Sequence, residues 1–377
     1  MAKKLTAFAA FAFLFLSLAG CRFLSGTDSV YNQYSASFFD CFDTLTQVVA
    51  QTKTEEEFNR YYNQIHARMQ YLHKLFDIYN DYDGINNIKT INDNAGIRPV
   101  KVEKEIIDLL LFSKEWHKKT GGRMNVAFGS VLKIWHDYRT AGLADPANAL
   151  LPPMVLLQEA ARHTDIDKVI IDEKNSTVYL ADRQMRLDVG GVAKGFAVEI
   201  AARESIDAGL TSGIIGAGGN IRTIGAPKDG CREKWSIGIQ NPSQSLFSDD
   251  NLIETVYVAD LSVVSSGDYQ RYYYVNGKAY HHIIDPHTLM PAEYNRAVTV
   301  VVEDSGLADF MSTALFLMPF SEGLALAESI DGLEAMWVMK DGSVKTTEGL
   351  KPLMKSQGAT NSVQKYNWER ILKIFRE

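Results

Sequence analysis

The sequence has 377 residues, of which 46% are hydrophobic and 23% are charged. This composition is ordinary for a soluble globular protein, and the length is sufficient for one large domain or two modest ones. The formal net charge of −7 argues against a general nucleic-acid binder, because such proteins need a basic face to hold the phosphate backbone.

The first twenty residues have the pattern of an export signal. Lys3 and Lys4 precede an apolar run that is shorter than a membrane span and ends in small residues before Cys21. The tetrapeptide Leu-Ala-Gly-Cys that ends at Cys21 is similar to a lipobox, whose cysteine is acylated. We therefore predict a lipoprotein signal peptide over 1–20, a tether over 21–36 and anchoring at the extracytoplasmic (periplasmic or cell-surface) side of a membrane. An ordinary secretory signal with an incidental cysteine is the alternative.

Two helices are predicted in the N-terminal half. The segment 54–79 has apolar residues at three- and four-residue steps, and Thr54 with Glu57 has the spacing of a capping box. The segment 102–122 is predicted as a second helix that ends at two glycines. The polar segment 80–96 between them is predicted to be a loop.

Strand patterns dominate after residue 165. The sequence predicts a hairpin over 168–182, strands over 212–226, 235–242 and 255–286 with a turn at Asn276–Gly277, a hairpin about Asp341–Gly342, and helices over 190–208 and 305–318. The mixture has much antiparallel character and no internal repeat. It predicts an α+β fold with a single domain over 37–355 and a C-terminal tail over 356–377.

The segment RLDVGGVAKGFAVE begins one of these helices with the features of an anion site. Gly190 and Gly191 allow a ligand to approach the backbone, and the free N–H groups of a helix start favour an anion. Lys194 adds a positive charge, whereas Asp188 suits a ligand N–H or hydroxyl donor. The segment matches neither the P-loop nor the dinucleotide fingerprint. An ordinary strand-to-helix turn with a solvated lysine is an equal alternative.

Three histidines lie within seven residues around Asp285. A histidine beside a ligand can act as a general base near neutral pH, although a strand histidine is more often structural. Period-two alternation would place His282 and Ile284 on one face, and His281, Ile283 and Asp285 on the other. A zinc site built from these histidines lacks the usual ligand spacing.

Asp309 and Thr313 are four residues apart on the helix predicted over 305–318, so their side chains share one face. A carboxylate and a hydroxyl are hard oxygen ligands that suit Mg²⁺. Their neighbours are apolar, so both groups need a partner when buried. The alternative is an exposed aspartate near a helix start with an incidental threonine.

Together these segments resemble the ApbE family, the FAD:protein FMN transferases. LDVGGVAKGFAVE is similar to the family motif D-x-G-G-x-A-K-G-x-x-x-D, and the segments GAGGN, SSGDYQRYYYVNGKAYHHIIDPHTLMPA and ADFMSTALF match those that follow it. Upstream, FDTLTQ and MNVAFGSVLKIW match two more. The resemblance extends from about residue 40 to residue 350 and implies an α+β fold with a T-fold-like core.

The resemblance also implies a reaction that requires Mg²⁺. In this reaction the pyrophosphate of FAD is split, FMN moves to a Thr hydroxyl of an acceptor protein, and AMP is released. The implied acceptors are flavin-carrying subunits of Nqr and Rnf complexes and related extracytoplasmic flavoproteins, which fits a lipoprotein.

The same resemblance implies which residues contact FAD. Asp188 and Lys194 are two of them, and the residues implied to line the flavin and adenosine pocket are Phe42, Tyr79, Met124, Asn125, Val126 and Ile283. Three positions depart from the family pattern: Glu199 and Asn125 each replace an Asp, and Phe42 replaces a Met. These departures are expected to affect FAD affinity or orientation, and they leave the metal pair intact.

The metal ligands and the general base are assigned on the same basis. The resemblance implies that the carbonyl of Gly191 joins Asp309 and Thr313 around Mg²⁺, with Ser312 as a further oxygen donor. His282 is our candidate for the base that accepts the proton of the acceptor hydroxyl, and Asp309 acts mainly as a metal ligand.

Two other functions stay open from the sequence. The first is an FAD pyrophosphatase, which would use water as the nucleophile and give FMN and AMP. The second is a non-catalytic FAD-binding lipoprotein, against which the intact Asp309 and Thr313 pair argues. Cys41 and Cys231 either pair, as exported proteins allow, or stay as buried thiols.

Overall fold

The computed structural model describes residues 30–245, 248 and 251–362. The predicted signal peptide, Cys21 and residues 363–377 of the predicted tail lie outside the described residues. Within the described part of the chain, every helix is too short or too polar to cross a membrane.

The described residues form both strands and helices. They are β1 (Asn32–Cys41), β2 (Thr44–Thr52), α1 (Glu55–Phe76), α2 (Ile88–Asp93), β3 (Val100–Lys101), α3 (Lys104–Lys119), α4 (Gly129–Ala144), α5 (Met154–Ala161), β4 (Val169–Asp172), β5 (Thr177–Leu180), α6 (Ala193–Asp207), β6 (Gly213–Ala217), β7 (Asn220–Ile224), β8 (Trp235–Gln240), β9 (Leu252–Val258), β10 (Ser262–Gly267), β11 (Tyr272–Val275), β12 (Lys278–His281), β13 (Asn295–Val302), α7 (Ser305–Phe316), α8 (Phe320–Glu328), β14 (Glu334–Met339) and β15 (Val344–Thr346). The predicted α+β class is confirmed.

Eight strands form one sheet, in the order β1-β2-β6-β7-β10-β13-β14-β15, and every neighbouring pair is antiparallel. Successive side chains of a strand point to opposite faces. Val48 and Val264 pack on one face of the sheet, and their neighbours Val49 and Val263 pack on the other. Because both faces are covered, the central strands β6, β7 and β13 are buried along nearly their whole length rather than at alternate residues.

Helices α1, α6 and α7 cover one face of this sheet, and the β8–β9 hairpin covers the other with Trp235 and Ile237. A third, smaller apolar cluster joins α4 and α5 to the β11–β12 hairpin. The predicted turn at Asn276–Gly277 connects β11 to β12, and both residues have positive φ, 50° and 79°. This arrangement places the starts of α6 and α7 near the ends of the central strands.

The amphipathic pattern of α1 is confirmed, with a difference at its start. Thr54 caps the helix, because its hydroxyl accepts from the Glu57 N–H at 3.1 Å. The Glu57 carboxylate accepts from the N–H of Lys53 at 3.0 Å rather than from that of Thr54, so the predicted reciprocal bond is displaced by one residue. Tyr61 is buried, while its neighbour Tyr62, which also fits the three- and four-residue steps, is only half-buried.

The predicted loop over 80–96 is wrong in its second half, which contains α2. Asn87 and Thr90 form a reciprocal capping box, and Ile88 and Ile91 are buried. Asn and Thr are weak helix formers, so local propensity hides this helix, and its capping hydrogen bonds with two buried isoleucines stabilise it.

Both ends of the domain extend beyond the predicted bounds. Strand β1 begins at Asn32, so residues 32–36 belong to the sheet and not to a tether. At the other end, residues 356–362 pack on the β8–β9 hairpin: the Ser356 N–H donates to Glu254, and Asn361 donates to the Ser236 hydroxyl at 2.8 Å. The part of the predicted tail that the structure describes is therefore bound to the domain.

Cys41 lies at the end of β1 and is buried, with 1% of its surface exposed. It forms no disulfide with Cys231. Burial and the neighbouring Asp40 carboxylate raise the pKa of the Cys41 thiol to about 12.

Glu199 connects α6 to two neighbouring elements. Its carboxylate accepts from Arg203 at 2.7 Å, from Arg222 on β7 at 3.2 Å, and from the N–H of Ser305 at the start of α7 at 2.9 Å. Glu199 and Arg222 are both buried. Removing one partner of a buried ion pair leaves an uncompensated charge, so we expect Glu199→Ala to lower the free energy of unfolding by about 3–5 kcal/mol in urea titrations.

The matched control is Glu159→Ala, which removes an exposed carboxylate that pairs with Arg162 at 3.0 Å. We expect this variant to lose less than about 1 kcal/mol. An equal loss of unfolding free energy in the two variants would show that the buried ion pair of Glu199 contributes no more to stability than the exposed pair of Glu159.

Candidate active site

A pocket of about 310 Å³ lies where the start of α6, one face of α7, the end of β10 and the β1–β2 turn meet. The predicted site residues that line it are Phe42, Tyr79, Met124, Asn125, Asp188, Gly191, Lys194, His282, Ile283, Asp309 and Thr313. Residues that are up to 271 positions apart (313 − 42) are thus brought together.

Close contact between α6 and α7 depends on glycine at position 195, and Gly191 lies beside α7 as well. The Gly195 N–H donates to Asp309 Oδ2 at 2.8 Å, and a Cβ at Gly195 would overlap both Asp309 and the Ser305 carbonyl. A Cβ at Gly191 would lie 2.5 Å from the Met124 methyl carbon and 3.7 Å from Thr313 Cγ2. The backbone of Gly191 therefore lies beside Thr313, and the tighter contact is with the flexible end of the Met124 side chain.

This packing leads to a prediction for Gly195→Ala. Because the added methyl group would push α7 away, we expect the free energy of unfolding to fall by about 1–3 kcal/mol in urea titrations. The matched control is Gly323→Ala on α8, where a Cβ would meet only ordinary contacts from 3.4 Å. There the higher helix propensity of alanine is expected to raise stability by up to about 1 kcal/mol. A neutral Gly195→Ala variant would contradict the predicted overlap.

The donor set at this contact fits a hard cation. One carboxylate oxygen of Asp309 is used by a backbone N–H, and the other, Oδ1, lies 3.9 Å from Lys194 Nζ. Thr313 adds a hydroxyl, and Gly191 has its backbone beside Thr313. A carboxylate, a hydroxyl and a carbonyl are ligands that Mg²⁺ accepts, so these residues fit the predicted metal.

Ser312 has a different place from the one predicted for it. It is fully buried and does not line the pocket, because its hydroxyl donates to the Asp309 carbonyl at 3.0 Å and contacts the Ser266 hydroxyl at 2.8 Å. Ser266 Oγ in turn lies 3.3 Å from Thr313 Oγ1. The hydroxyl next to the predicted ligand set is therefore that of Ser266, which the sequence analysis did not identify.

Asp188 forms the turn that precedes α6. Its carboxylate accepts from the Gly190 N–H at 2.9 Å, and its own N–H donates to the Val126 carbonyl at 2.8 Å. The residue that caps α6 is Val192, without a side-chain bond. The alternative of a strand-to-helix turn thus describes the local geometry, while the Asp188 side chain still lines the pocket.

Val126 is a correction to the predicted pocket lining. Its side chain is buried in the main apolar cluster with 1% exposed, and only its carbonyl takes part in the turn. Asn125 lines the pocket, but both ends of its amide are used in local hydrogen bonds at 2.8 Å. Asn125 therefore shapes the chain here, a role that an aspartate would not fill equally because a carboxylate cannot donate.

Two arginines in the pocket were missed by the sequence analysis. Arg139 donates to His136 Nδ1 at 3.2 Å, and Arg271 lines the same pocket. Burial and the charge of Arg271 lower the pKa of Arg139. Burial raises the pKa of Asp188, although both arginines act in the opposite direction. Two cations that repel each other in one pocket favour an anionic ligand between them.

His281 and His282 have separate roles. His281 is buried, with Nε2 at 2.9 Å from the Ala292 carbonyl and Nδ1 accepting from the Ile283 N–H at 3.3 Å. His282 lines the pocket, and its Nδ1 is buried with no hydrogen-bond partner among the described residues. Burial, followed by the charges of Arg271 and Arg139, holds the pKa of His282 well below its usual range.

The predicted alternation of faces is wrong at this point. Strand β12 ends at His281, so His282 and Ile283 both face the pocket instead of opposite sides. The lowered pKa of His282 favours its neutral imidazole, which is the form that a general base requires.

The β1–β2 turn and the loop after α1 close the pocket. Phe42 has a positive φ of 54°, and its N–H donates to His73 Nδ1 at 3.2 Å. The Tyr79 hydroxyl lies 3.4 Å from His136 Nδ1. The aromatic rings of Phe42 and Tyr79 thus line a pocket whose opposite wall carries the polar groups of α6 and α7.

The sequence profile of the ApbE family matches residues 42–337, which is well over half of the chain. The chain belongs to the ApbE family. It is 30% identical over 276 residues to a Treponema pallidum protein named FAD:protein FMN transferase, covering 70% of this chain and 73% of that protein. A Klebsiella pneumoniae protein of the same name is 28% identical over 75% of this chain and 85% of its own.

Solved structures of ApbE proteins have the same fold. The ApbE protein from Thermotoga maritima superposes with a TM-score of 0.75 at 27% identity, over 85% of this chain and 99% of that one. The flavin transferase ApbE from Vibrio cholerae superposes with a TM-score of 0.70 at 20% identity, over 86% and 99%. The described residues therefore form one ApbE-type α+β domain.

Proposed function

We propose that this protein transfers FMN from FAD to an acceptor protein. Relatives named FAD:protein FMN transferase match 70–75% of the chain. The observation that carries the proposal is the contact between the start of α6 and α7, because it places Lys194 beside Asp309 and Thr313 in one pocket. A flavin carrier would not need such a donor set next to a free histidine.

We further propose that Gly191, Asp309 and Thr313 hold Mg²⁺ and that AMP is the leaving product. Bound Mg²⁺ supplies neutralisation of the charge that develops on the pyrophosphate oxygens. Lys194 and Arg271 hold the same pyrophosphate from the protein side. His282 accepts the proton of the acceptor hydroxyl.

The atoms of the reaction balance as follows. A bond forms between the threonine oxygen of the acceptor and the phosphorus on the riboflavin side of FAD. The bond from that phosphorus to the bridging oxygen breaks, and AMP leaves with the bridging oxygen. The hydroxyl proton is held by the imidazole of His282 and is then released to solvent.

A fluorescence gel tests this function. The detergent-solubilised full chain is incubated with FAD, Mg²⁺ and an acceptor that carries a flavinylation threonine, and the denatured products are separated. We expect a fluorescent acceptor band that disappears when Mg²⁺ is chelated. AMP release without that band would indicate the pyrophosphatase, and bound FAD with neither product would indicate a flavin carrier.

We also propose that the protein is a lipoprotein whose acceptors are extracytoplasmic flavoproteins of the Nqr or Rnf type. The lipobox-like sequence that ends at Cys21 supports this proposal. We expect palmitate labelling of the wild-type chain and none for Cys21→Ala. Equal labelling of both chains would exclude Cys21 as the anchor.

A further inference from the structure

A second cavity of about 1270 Å³ adjoins the pocket. The two share the lining residues Asp43, Lys194, Ser265, Gln270 and Arg271. Of the residues predicted to bind FAD or metal, only Lys194 lines the larger cavity. The proposed FAD and metal contacts therefore leave this cavity without a role, although it opens directly onto the proposed reaction centre.

Tyrosines of the β11–β12 hairpin form one side of the larger cavity. Tyr272 and Tyr274 are 39% and 56% exposed, and their rings meet edge to face with centroids 5.6 Å apart. The antiparallel register places Ala279 opposite Tyr274 and His281 opposite Tyr272, so these side chains share one face of the hairpin. Adjacent exposed tyrosines that are not used in the core are typical of a surface that binds another protein.

Apart from Lys194 and Arg271, which the cavity shares with the pocket, its lysines and arginines pair with carboxylates. Lys278 pairs with Glu293 at 2.9 Å, and Asp268 pairs with Lys340 at 3.1 Å and with Arg296 at 3.7 Å. A second nucleotide would need further unpaired cations, which these pairs do not supply. A polypeptide has no such requirement.

The size and the edges of the cavity also favour a polypeptide. Its volume exceeds the range of about 300–1,000 Å³ that is usual for small-molecule sites. Among the described strands, β11 and β12 pair only with each other, so the hairpin offers open edges to an extended chain.

We propose that this cavity, the tyrosine groove lined by Tyr272 and Tyr274, binds the acceptor segment that surrounds the threonine receiving FMN. The inference rests on the proposed function, since it requires an acceptor protein. A chain in the groove passes Lys194, which lies 3.9 Å from Asp309. It also passes Arg271, whose carbonyl accepts from the His282 N–H at 3.1 Å. The threonine hydroxyl is thereby presented to the proposed metal ligands and base.

The test uses the full chain with the double substitution Tyr272→Ala and Tyr274→Ala. Rates of flavin transfer are measured against acceptor concentration at saturating FAD and Mg²⁺, and FAD affinity is measured separately by quenching of flavin fluorescence. We expect the KM for the acceptor to rise by about tenfold or more, as for the loss of aromatic contacts at an interface. The affinity for FAD is expected to stay within about twofold, a difference of less than 0.5 kcal/mol.

Two matched variants complete the experiment. The double substitution to phenylalanine keeps the rings and is expected to keep the KM near the wild-type value. Tyr179→Ala removes a half-buried tyrosine of β5, outside both cavities, and is expected to leave the KM unchanged.

An unchanged acceptor KM in the double alanine variant would overturn the proposal that the groove binds the acceptor. An equal rise of the acceptor KM in Tyr179→Ala would overturn it as well. A parallel loss of FAD affinity would assign the groove to FAD instead. If the unmodified chain binds FAD and flavinylates no acceptor, the proposed function fails, and the groove proposal fails with it.

Discussion

Replacing Asp309 with asparagine is expected to lower kcat/KM for FMN transfer by about a hundredfold to a thousandfold, the range found when one electrostatic stabiliser of a transition state is removed. The substitution keeps an oxygen that can accept from the Gly195 N–H, so the contact between α6 and α7 is retained. It removes the negative charge, which leaves the proposed Mg²⁺ site with only neutral donors. Initial rates are measured over a range of Mg²⁺ concentrations, and a higher Mg²⁺ requirement is expected.

Asp137→Asn is the matched control for this experiment. Asp137 lies on the exposed side of α4, where it pairs with Lys133. We expect this variant to have wild-type rates. If Asp309→Asn kept the wild-type rate and Mg²⁺ dependence, Asp309 would not be a metal ligand.

Replacing His282 with alanine is expected to lower kcat by about 10²–10⁴-fold, the usual contribution of a general base. The affinity for FAD is expected to change little, because the role proposed for His282 is to accept the proton of the acceptor hydroxyl. Fluorescence titration with FAD and single-turnover transfer separate the two effects. His287→Ala is the control, since His287 is exposed on the same segment and outside both cavities. Transfer at the wild-type rate would reject His282 as the base.

The low pKa of His282 makes a prediction about pH. The base is active only as the neutral imidazole, and burial with the two nearby arginines favours that form. We therefore expect kcat to fall with decreasing pH only below the ordinary histidine value of about 6.5. An acid limb at or above that value would indicate another titrating group.

The free energy of unfolding is also expected to fall with decreasing pH. Because the unfolded chain binds a proton at His282 more readily than the folded chain does, this residue lowers the free energy of unfolding as the pH falls below about 6.5. The contribution is constant at higher pH, where the imidazole is neutral in both states.

The sequence predicts those site residues whose spacing within one helix or turn is distinctive. Asp309 and Thr313 were found from their four-residue spacing on one helix, and Gly191 with Lys194 from a glycine-rich helix start. Both pairs line one pocket in the structure. Spacing along one element predicts which side chains share a face, and that local geometry is retained on folding.

The parts that the sequence analysis missed arise from tertiary contacts. Ser266 reaches Thr313 only because β10 lies beside α7, and Arg139 meets Arg271 only because α4 packs on the β11–β12 hairpin. None of these three residues has a distinctive local pattern. The face of Ile283 differs from the prediction for a related reason, since a period of two cannot indicate that β12 ends at His281.

Alkylation of the buried Cys41 thiol can report when the β1 edge of the large sheet opens. Because its pKa is raised to about 12, the Cys41 thiol is almost entirely un-ionised at pH 8. Alkylating reagents therefore react with Cys41 mainly after β1 separates from the domain, so the labelling rate measures how often this edge opens. Phe42 follows directly in the chain and lines the pocket, so a ligand that contacts Phe42 slows the labelling of its neighbour.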